Sequence, residues 1–489
     1  MWETCLVLNM KEKQSTKLSV EKIAVVLLAI IVLGTPISLR GIDGLDGSDP
    51  YFNQRLAEMI EKDKLPDIDP LSFTSRPFFY PIGTPITLYY IEKIVPENIA
   101  LNFLPLLAGV LVVLMLFSIL KSFGFNDKLI LIANTFLVFS PPFIYNFSVF
   151  SSFTIPFFLN ALAIYLFLKN KPIYRNVSVL IFLLIPFFGY VHVIFSLIFM
   201  ILYGLKKIKN VKLLIIGILL LTGLAYFSQL SSGLFFGSVE DRGILLRITS
   251  EFGGNFGISI FSILILFFGL RYLWKNKYAH KEVYLSLIVL FLLFLFNQRA
   301  GIYLTVFMAP IISMGILEIN NSKWESGIIK YLTVILLISG LIFSGLSFLS
   351  KIPQLPPSED VINGLEFIKE RSNPGDVVFS HYTNGVLINS IAARPNVLDI
   401  NSAYAPGVKE RVKDSEILFY LRDFEGAKQM LERYNIKYIF ITPNMKNGLV
   451  WNEPEEGLLF VLEFSGNNFK RVYNNNDVEV WRVNFLQEL

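Results

Sequence analysis

The sequence predicts an α-helical polytopic membrane protein of about eleven transmembrane segments, with a small external α/β domain in its C-terminal part. Composition points there first. Of 489 residues, 53% are hydrophobic and only 17% charged, against about 25% charged in soluble domains. Apolar runs of spanning length recur through the first 350 residues, and a spanning helix needs about 20 such residues. Basic residues then cluster in alternate loops, as the positive-inside rule requires. The formal net charge of +4 is small, so nucleic acid is not an expected partner. A single cysteine, Cys5, excludes an intramolecular disulfide framework and a Cys-rich metal site.

The apolar runs fall at roughly 22–39, 99–120, 129–146, 152–168, 177–189, 190–204, 212–230, 256–274, 283–298, 301–318 and 327–349. Lys11, Lys13, Lys17 and Lys22 precede or open the first run. No small-residue cleavage site ends it before Arg40, so it reads as a retained anchor. Residues 177–204 are one long apolar run flanked on both sides by lysines and arginines. Like flanks require it to enter and return on the same side, as a short hairpin turning near Pro186–Gly189. The loops holding Lys121–Lys128, Lys169–Arg175, Lys206–Lys212 and Lys275–Lys281 are then cytoplasmic, with the N-terminus. The C-terminal part lies outside, in the cell-membrane orientation this register predicts.

Beyond Pro353 the composition turns mixed and charged. Ser358 caps an amphipathic helix with apolar positions Val361, Leu365 and Ile368. A turn at Asn373–Asp376 leads to a short strand, Val377–Ser380. A helix near 424–434 precedes a buried-strand pattern, Lys437–Thr442. The expected division is therefore a membrane domain, 1–350, carrying an external loop, 40–98, and an external soluble domain, 351–489.

That external loop holds the densest candidate chemistry. Asp43, Asp46 and Asp49 follow the first apolar run, a helical pattern runs from Tyr51 to about Lys64, and Asp67 and Asp69 come next. A carboxylate at a membrane surface can act as a general base or hold a divalent cation against a phosphate leaving group. The same spacing also fits a helix N-cap, with Ser48 or Asp49 before Pro50 at the first helical position. Both readings stand, and they are compatible.

Asp49-Pro50-Tyr51-Phe52-Asn53-Gln54-Arg55 resembles the first-loop motif of oligosaccharyltransferase catalytic subunits and related GT-C membrane glycosyltransferases. Asp69 and Tyr80-Pro81-Ile82-Gly83 resemble the return of that loop. The likeness implies a GT-C fold. It also implies transfer of a sugar from a polyprenyl (dolichyl) phosphate carrier to an acceptor on the external face. A diverged oligosaccharyltransferase and a non-catalytic partner of the same fold are the alternatives. In the family the second external loop carries a D-x-E metal motif after a segment like Ser148–Phe153; here Thr154-Ile155-Pro156 stand in its place. The W-W-D-Y-G frame of the C-terminal domain is matched only loosely, by Phe379–Gly385 with Arg394–Asp399. Ile248-Thr249-Ser250-Glu251 resembles the family's T-x-x-E motif, whose glutamate contacts the acceptor.

The resemblance makes Asp49 and Glu251 the catalytic candidates. Arg299, Arg55, Asp69 and His381 are the substrate-binding ones. A divalent cation, Mg or Mn, would sit on Asp49 with Asp46, although nothing in the sequence requires one. The guanidinium of Arg299, where a segment emerges and re-enters, suits a lipid-linked phosphate or snorkelling to headgroups. Arg242 and Arg247, also external, favour snorkelling. His192 lies inside an apolar run, where a neutral packed histidine is expected, and His280 belongs to a solvated loop. No metal-spaced histidine cluster, nucleophile elbow or phosphate loop occurs.

Overall fold

The computed structural model describes residues 19–40, 45, 47–62, 67–169, 171–205, 211–227, 229, 248–251, 257–275, 277–278, 280–352 and 356–485. Asp43, Asp46, Arg242 and Arg247 lie outside them. The protein is an α-helical membrane protein with a small C-terminal sheet region. Its chain divides into two compact units.

Helices dominate the first 350 residues. In chain order they begin with α1, Val20–Arg40, α2, Ser48–Glu61, α3, Gly83–Glu92, and α4, Glu97–Ser122. Then come α5, Asp127–Val138, α6, Pro141–Ser148, α7, Thr154–Phe167, α8, Pro172–Leu184, and α9, Tyr190–Phe199. The series closes with α10, Val211–Ala225, α11, Ile260–Trp274, α12, Lys281–Phe296, α13, Gly301–Asn321, and α14, Gly327–Leu349. All of these except α2 belong to the first, helical unit. Each apolar run of the sequence holds a helix or a helix pair. Among the described residues, four helices are long and apolar enough to cross a membrane: α1, α4, α13 with its preceding turn, and α14. The α5–α6 pair, bent by 68° at Ser140 and two prolines, makes a fifth if it is one broken span. Others, including α7, α9, α10 and α11, are shorter apolar helices. The chain breaks at Gly189, φ 141°, where the hairpin turn is expected. A π-helical turn, Met200–Gly204, continues α9.

The second unit is built from distant pieces of chain, Gly47–Tyr80 and Pro356–Leu489, with Gln229 donating to the Tyr404 hydroxyl at 3.0 Å. The expected boundary near residue 350 is therefore incomplete: the first loop folds with the C-terminal part. The sheet explains why. Its order is β3, Val377–Phe379, β4, Ile436–Ile441, β6, Val478–Val483, and β5, Phe469–Asn475. β3 and β4 are parallel; the other pairs are antiparallel. Beyond β3, Asn396 pairs with Val378 and Ser72 pairs with Asn396, so loop residues cover the exposed edge of β3 and satisfy its backbone groups. A two-residue ribbon, β1, Ile68–Asp69, with β2, Arg76–Pro77, flanks this addition. The expected C-terminal elements are present: Ser358 accepts from the Val361 amide to start α15, Glu359–Arg371, and Phe424–Arg433 is helical ahead of β4.

Candidate functional site

Asp49 stands in the first turn of α2 and is 3% exposed. The helix begins earlier than the capping reading requires. Gly47 is its N-cap, with no side-chain cap hydrogen bond, so Asp49 is not the cap. A carboxylate in a first turn is favoured by the helix dipole. The Asn53 amide donates to the Asp49 carbonyl at 2.8 Å. Further along α2, Phe52 and Leu56, one turn apart, pack with Tyr80 and Val386, and Ser390 donates to the Tyr51 carbonyl at 3.1 Å. The motif helix is thus fixed along its apolar face.

Arg55 and Asp69, expected at a substrate, are directed at one another. Arg55 forms a bidentate pair with Asp69 at 3.1 and 2.8 Å. Arg76 donates to the same carboxylate through Nη2 at 3.0 Å and to Asp399 through Nη1 at 2.8 Å. Asp399 also accepts from the Asn401 amide, Ser402 and Asn389. Two guanidinium groups and two carboxylates form one charge-balanced buried network, and a buried charge requires such partners. Burial pushes the Asp69 carboxyl up, but Arg55 and then Arg76 overcome it and hold it down at about 2. Burial likewise opposes the charge on Arg76, and Asp399 foremost raises it above the usual arginine range. Withdrawing Arg55 or Asp69 from this network strands a buried charge out of water.

Gly385, the surviving glycine of the C-terminal frame, supports this network. A Cβ there would lie 2.3 Å from the Leu398 carbonyl and 2.5 Å from the Asp399 side chain. Only glycine lets the Asp399 turn approach. His381 is half-buried just past β3, with Nδ1 2.8 Å from the Thr383 hydroxyl and its ring 4.4 Å from that of Tyr382. The bonds that build the ionic network run among Arg55, Asp69, Arg76 and Asp399 and do not pass through His381.

In the helical unit, Glu251 is exposed but anchored. Its carboxylate accepts from Ser259 at 2.7 Å, the Ile260 amide at 3.1 Å and Ser250 at 3.2 Å, which places it on the N-terminus of α11, a favourable position for an anion. Gly257 closes the loop neck, since a Cβ there would meet Thr249 and Ser250 backbone at 2.5 Å. Arg299 is half-buried in the turn between α12 and α13, its amide held by Asn297 at 3.1 Å. His280, expected in solvent, is 2% exposed, with its amide donating to the Lys277 carbonyl at 3.2 Å.

The second loop is closed on itself. The Thr154 hydroxyl donates to the Asn146 carbonyl at 2.8 Å and accepts from the Ser151 amide at 3.0 Å, while Ser151 donates to Asn146 at 2.7 Å. Short hydroxyls knit the turn where the resemblance expects two carboxylates. A tight divalent site needs several oxygen ligands, and among the described residues no three His, Cys, Asp or Glu side chains are grouped to hold one. This donor set does not fit a cation in that loop.

Beneath it lies a neutral cluster. His192 Nδ1 is 2.6 Å from the Tyr303 hydroxyl, Asn160 donates to that hydroxyl at 3.2 Å, and Ser196 donates to Asn160 at 2.6 Å. These four residues are all buried. The packed histidine is the expected one; its partners carry no signal beyond being polar residues within apolar runs.

Set beside solved structures, the chain overlays the archaeal oligosaccharyltransferase AglB from Archaeoglobus fulgidus, determined with an inhibitory peptide and a dolichol-phosphate. The TM-score is 0.60 at 13% identity, over 86% of this chain and 69% of that one. The chain has a GT-C-like fold. Mycobacterial arabinofuranosyltransferase AftD matches at TM-score 0.57 and 12% identity, over 96% of this chain but 40% of its own. ArnT from Cupriavidus metallidurans, bound to undecaprenyl phosphate, matches at 0.51 and 10%, over 94% and 97%. No family model and no curated protein matches the sequence. The resemblance read from Asp49–Arg55 is therefore distant in sequence and present in fold.

Proposed function

We propose that this GT-C-like protein is a membrane glycosyltransferase. It moves a sugar from a polyprenyl (dolichyl) phosphate carrier to an acceptor on the external face. The observation that carries the reading is Asp49: a buried carboxylate in the first turn of α2, within the Asp-Pro motif, on a helix whose Arg55 is locked to Asp69. In this reading Asp49 takes the proton of the acceptor hydroxyl as its oxygen attacks the anomeric carbon and the carrier phosphate departs. Arg299 pairs with that phosphate. Glu251 orients the acceptor: a carboxylate has about four lone-pair sites, and the three bonds from Ser250, Ser259 and Ile260 leave room for one more donor. No step is routed through a metal: the hydroxyls of the second loop do not fit one, and among the described residues no three His, Cys, Asp or Glu side chains are grouped to hold one.

The test is turnover of dolichyl- and undecaprenyl-phosphate sugars by the full chain in nanodiscs. Asp49→Asn is expected to lower the rate by about 10²- to 10⁴-fold, with no effect of EDTA on the wild type. Full turnover by the variant overturns the role of Asp49. The likeness to AglB favours one second reading, a diverged oligosaccharyltransferase. That reading predicts EDTA-sensitive transfer to a sequon peptide.

A further inference from the structure

The helical unit holds an apolar cavity of about 210 Å³ among α4, α7, α9 and α13. Its walls are shaped by departures from regular helix. Leu202 and Tyr203 reach it from the π-helical turn, and Pro310 reaches it from the middle of α13. A π turn adds a residue to the helix and widens it, often at functional sites. A helix-interior proline removes a backbone donor and bends its helix. At one end the walls are pinned: Asn160 of α7, His192 and Ser196 of α9, and Tyr303 of α13 join in the neutral cluster. Phe157 and Phe195 pack against the Tyr303 ring at 5.0 and 4.3 Å and also line the cavity. The helices are tied together at the cluster and held apart below it.

An apolar cavity of ~150 Å³ stays dry and takes a benzene-sized guest. This one is larger, and the medium around apolar spanning helices is hydrocarbon. Its polar lining is at the other end, at Ser122, the last residue of α4, and Tyr203, next in sequence to Lys121, which is exposed and paired with Asp127 at 2.8 Å. We propose that the cavity binds one acyl chain of a bilayer phospholipid whose headgroup rests at Ser122 and Tyr203, beside the Lys121–Asp127 pair. In this proposal the headgroup sits at the end of the cavity away from Arg299, which separates the occupant from a donor carrier whose phosphate pairs with Arg299. Arg299 precedes α13 at the Tyr303 end, whereas eleven residues of helix, about 16 Å at 1.5 Å each, separate His192 from Tyr203. The inference stands whether or not the chain transfers sugars.

The test uses the full chain in nanodiscs containing phosphatidylglycerol with a diazirine in mid-chain. After irradiation, labelled residues are mapped by mass spectrometry. Label is expected on Phe199–Tyr203 and Val306–Ile311. Ala161→Trp, which fills the cavity, should reduce it severalfold while label on exposed Leu336 of α14 is unchanged. Label confined to such exposed faces overturns the proposal, as does cavity labelling by a diazirine polyprenyl phosphate alone. The wild-type map decides these outcomes without a variant, and Val306→Phe replaces Ala161→Trp if the latter does not fold.

Discussion

In the unit that carries the first loop, Arg55, Asp69, Arg76 and Asp399 are buried as full charges. In the helical unit, Asn160, His192, Ser196 and Tyr303 are buried as neutral groups. Both clusters join segments far apart in sequence, and they do it at different risk. A buried ion network is stable only while every charge has its partner, because desolvating an ion costs several kcal/mol. A neutral network among apolar helices costs little to assemble, and each bond contributes about 0.6 kcal/mol, at most about 1.7. The ionic cluster closes a loop onto a sheet edge, and its directional, bidentate bonds fix that register. The neutral cluster ties helices that apolar packing already holds.

Arg76→Leu tests this contrast most severely. It removes the one side chain shared by Asp69 and Asp399 and strands a buried carboxylate. A loss of about 3–5 kcal/mol is expected. Hydrogen exchange should show it as unprotected amides in β3 and in Gly47–Tyr80, with the helical unit unaffected. If Arg76→Leu costs no more than losing one neutral hydrogen bond, the two clusters are alike and the distinction fails.

Acid offers a gentler probe of the same network. The Asp69 carboxyl is lowered from its ordinary 3.8 to about 2. A depressed carboxylate stabilises the fold in full above the unfolded value and loses that contribution as pH falls through the folded one. About 2 kcal/mol should therefore disappear between roughly pH 4 and pH 2. Exchange of the Leu71 amide, which donates to Asp69 at 3.2 Å, measures it. In Asp69→Asn the transition in that window should vanish. Persistence of an equal transition assigns the acid sensitivity elsewhere.

The helices were legible because a spanning run announces itself in a window of about 20 residues; the break at Gly189, φ 141°, falls where the like-charged flanks lead the sequence reading to expect a turn. Ser358, Val377–Phe379 and β4 were legible because caps and periodicity are equally local. The ionic cluster was not. Arg76 and Asp399 are 323 positions apart, and no local pattern links them. In a loop, Arg55 and Asp69 look equally suited to a ligand and to each other. α2 starts a residue or more before the position that Ser48, Asp49 and Pro50 suggest for a cap, because Gly47, φ 71°, takes that place. The Thr154 loop reads in sequence only as lost carboxylates; its hydroxyl bonds appear when Asn146, Ser151 and Thr154 are brought together.

Tyr303→Phe probes the neutral side, with the smallest effect. It keeps the ring against Phe157 and Phe195 and removes one hydroxyl, so His192 Nδ1 loses its 2.6 Å partner and Asn160 retains a 3.4 Å bond to the His192 carbonyl. The expected loss is about 0.6–1.7 kcal/mol, read as faster exchange in the first turns of α9 and α13. Protection in β3 and β4, and the acid transition of Asp69, should be unchanged, since neither depends on that hydroxyl. A loss near that of Arg76→Leu would mean that the helical unit depends on its polar lock as heavily as the other unit depends on its charges. Apolar packing along α7, α9 and α13 would then be too weak to hold the cavity walls unaided, and the lock would set the width of the cavity as well as its roof.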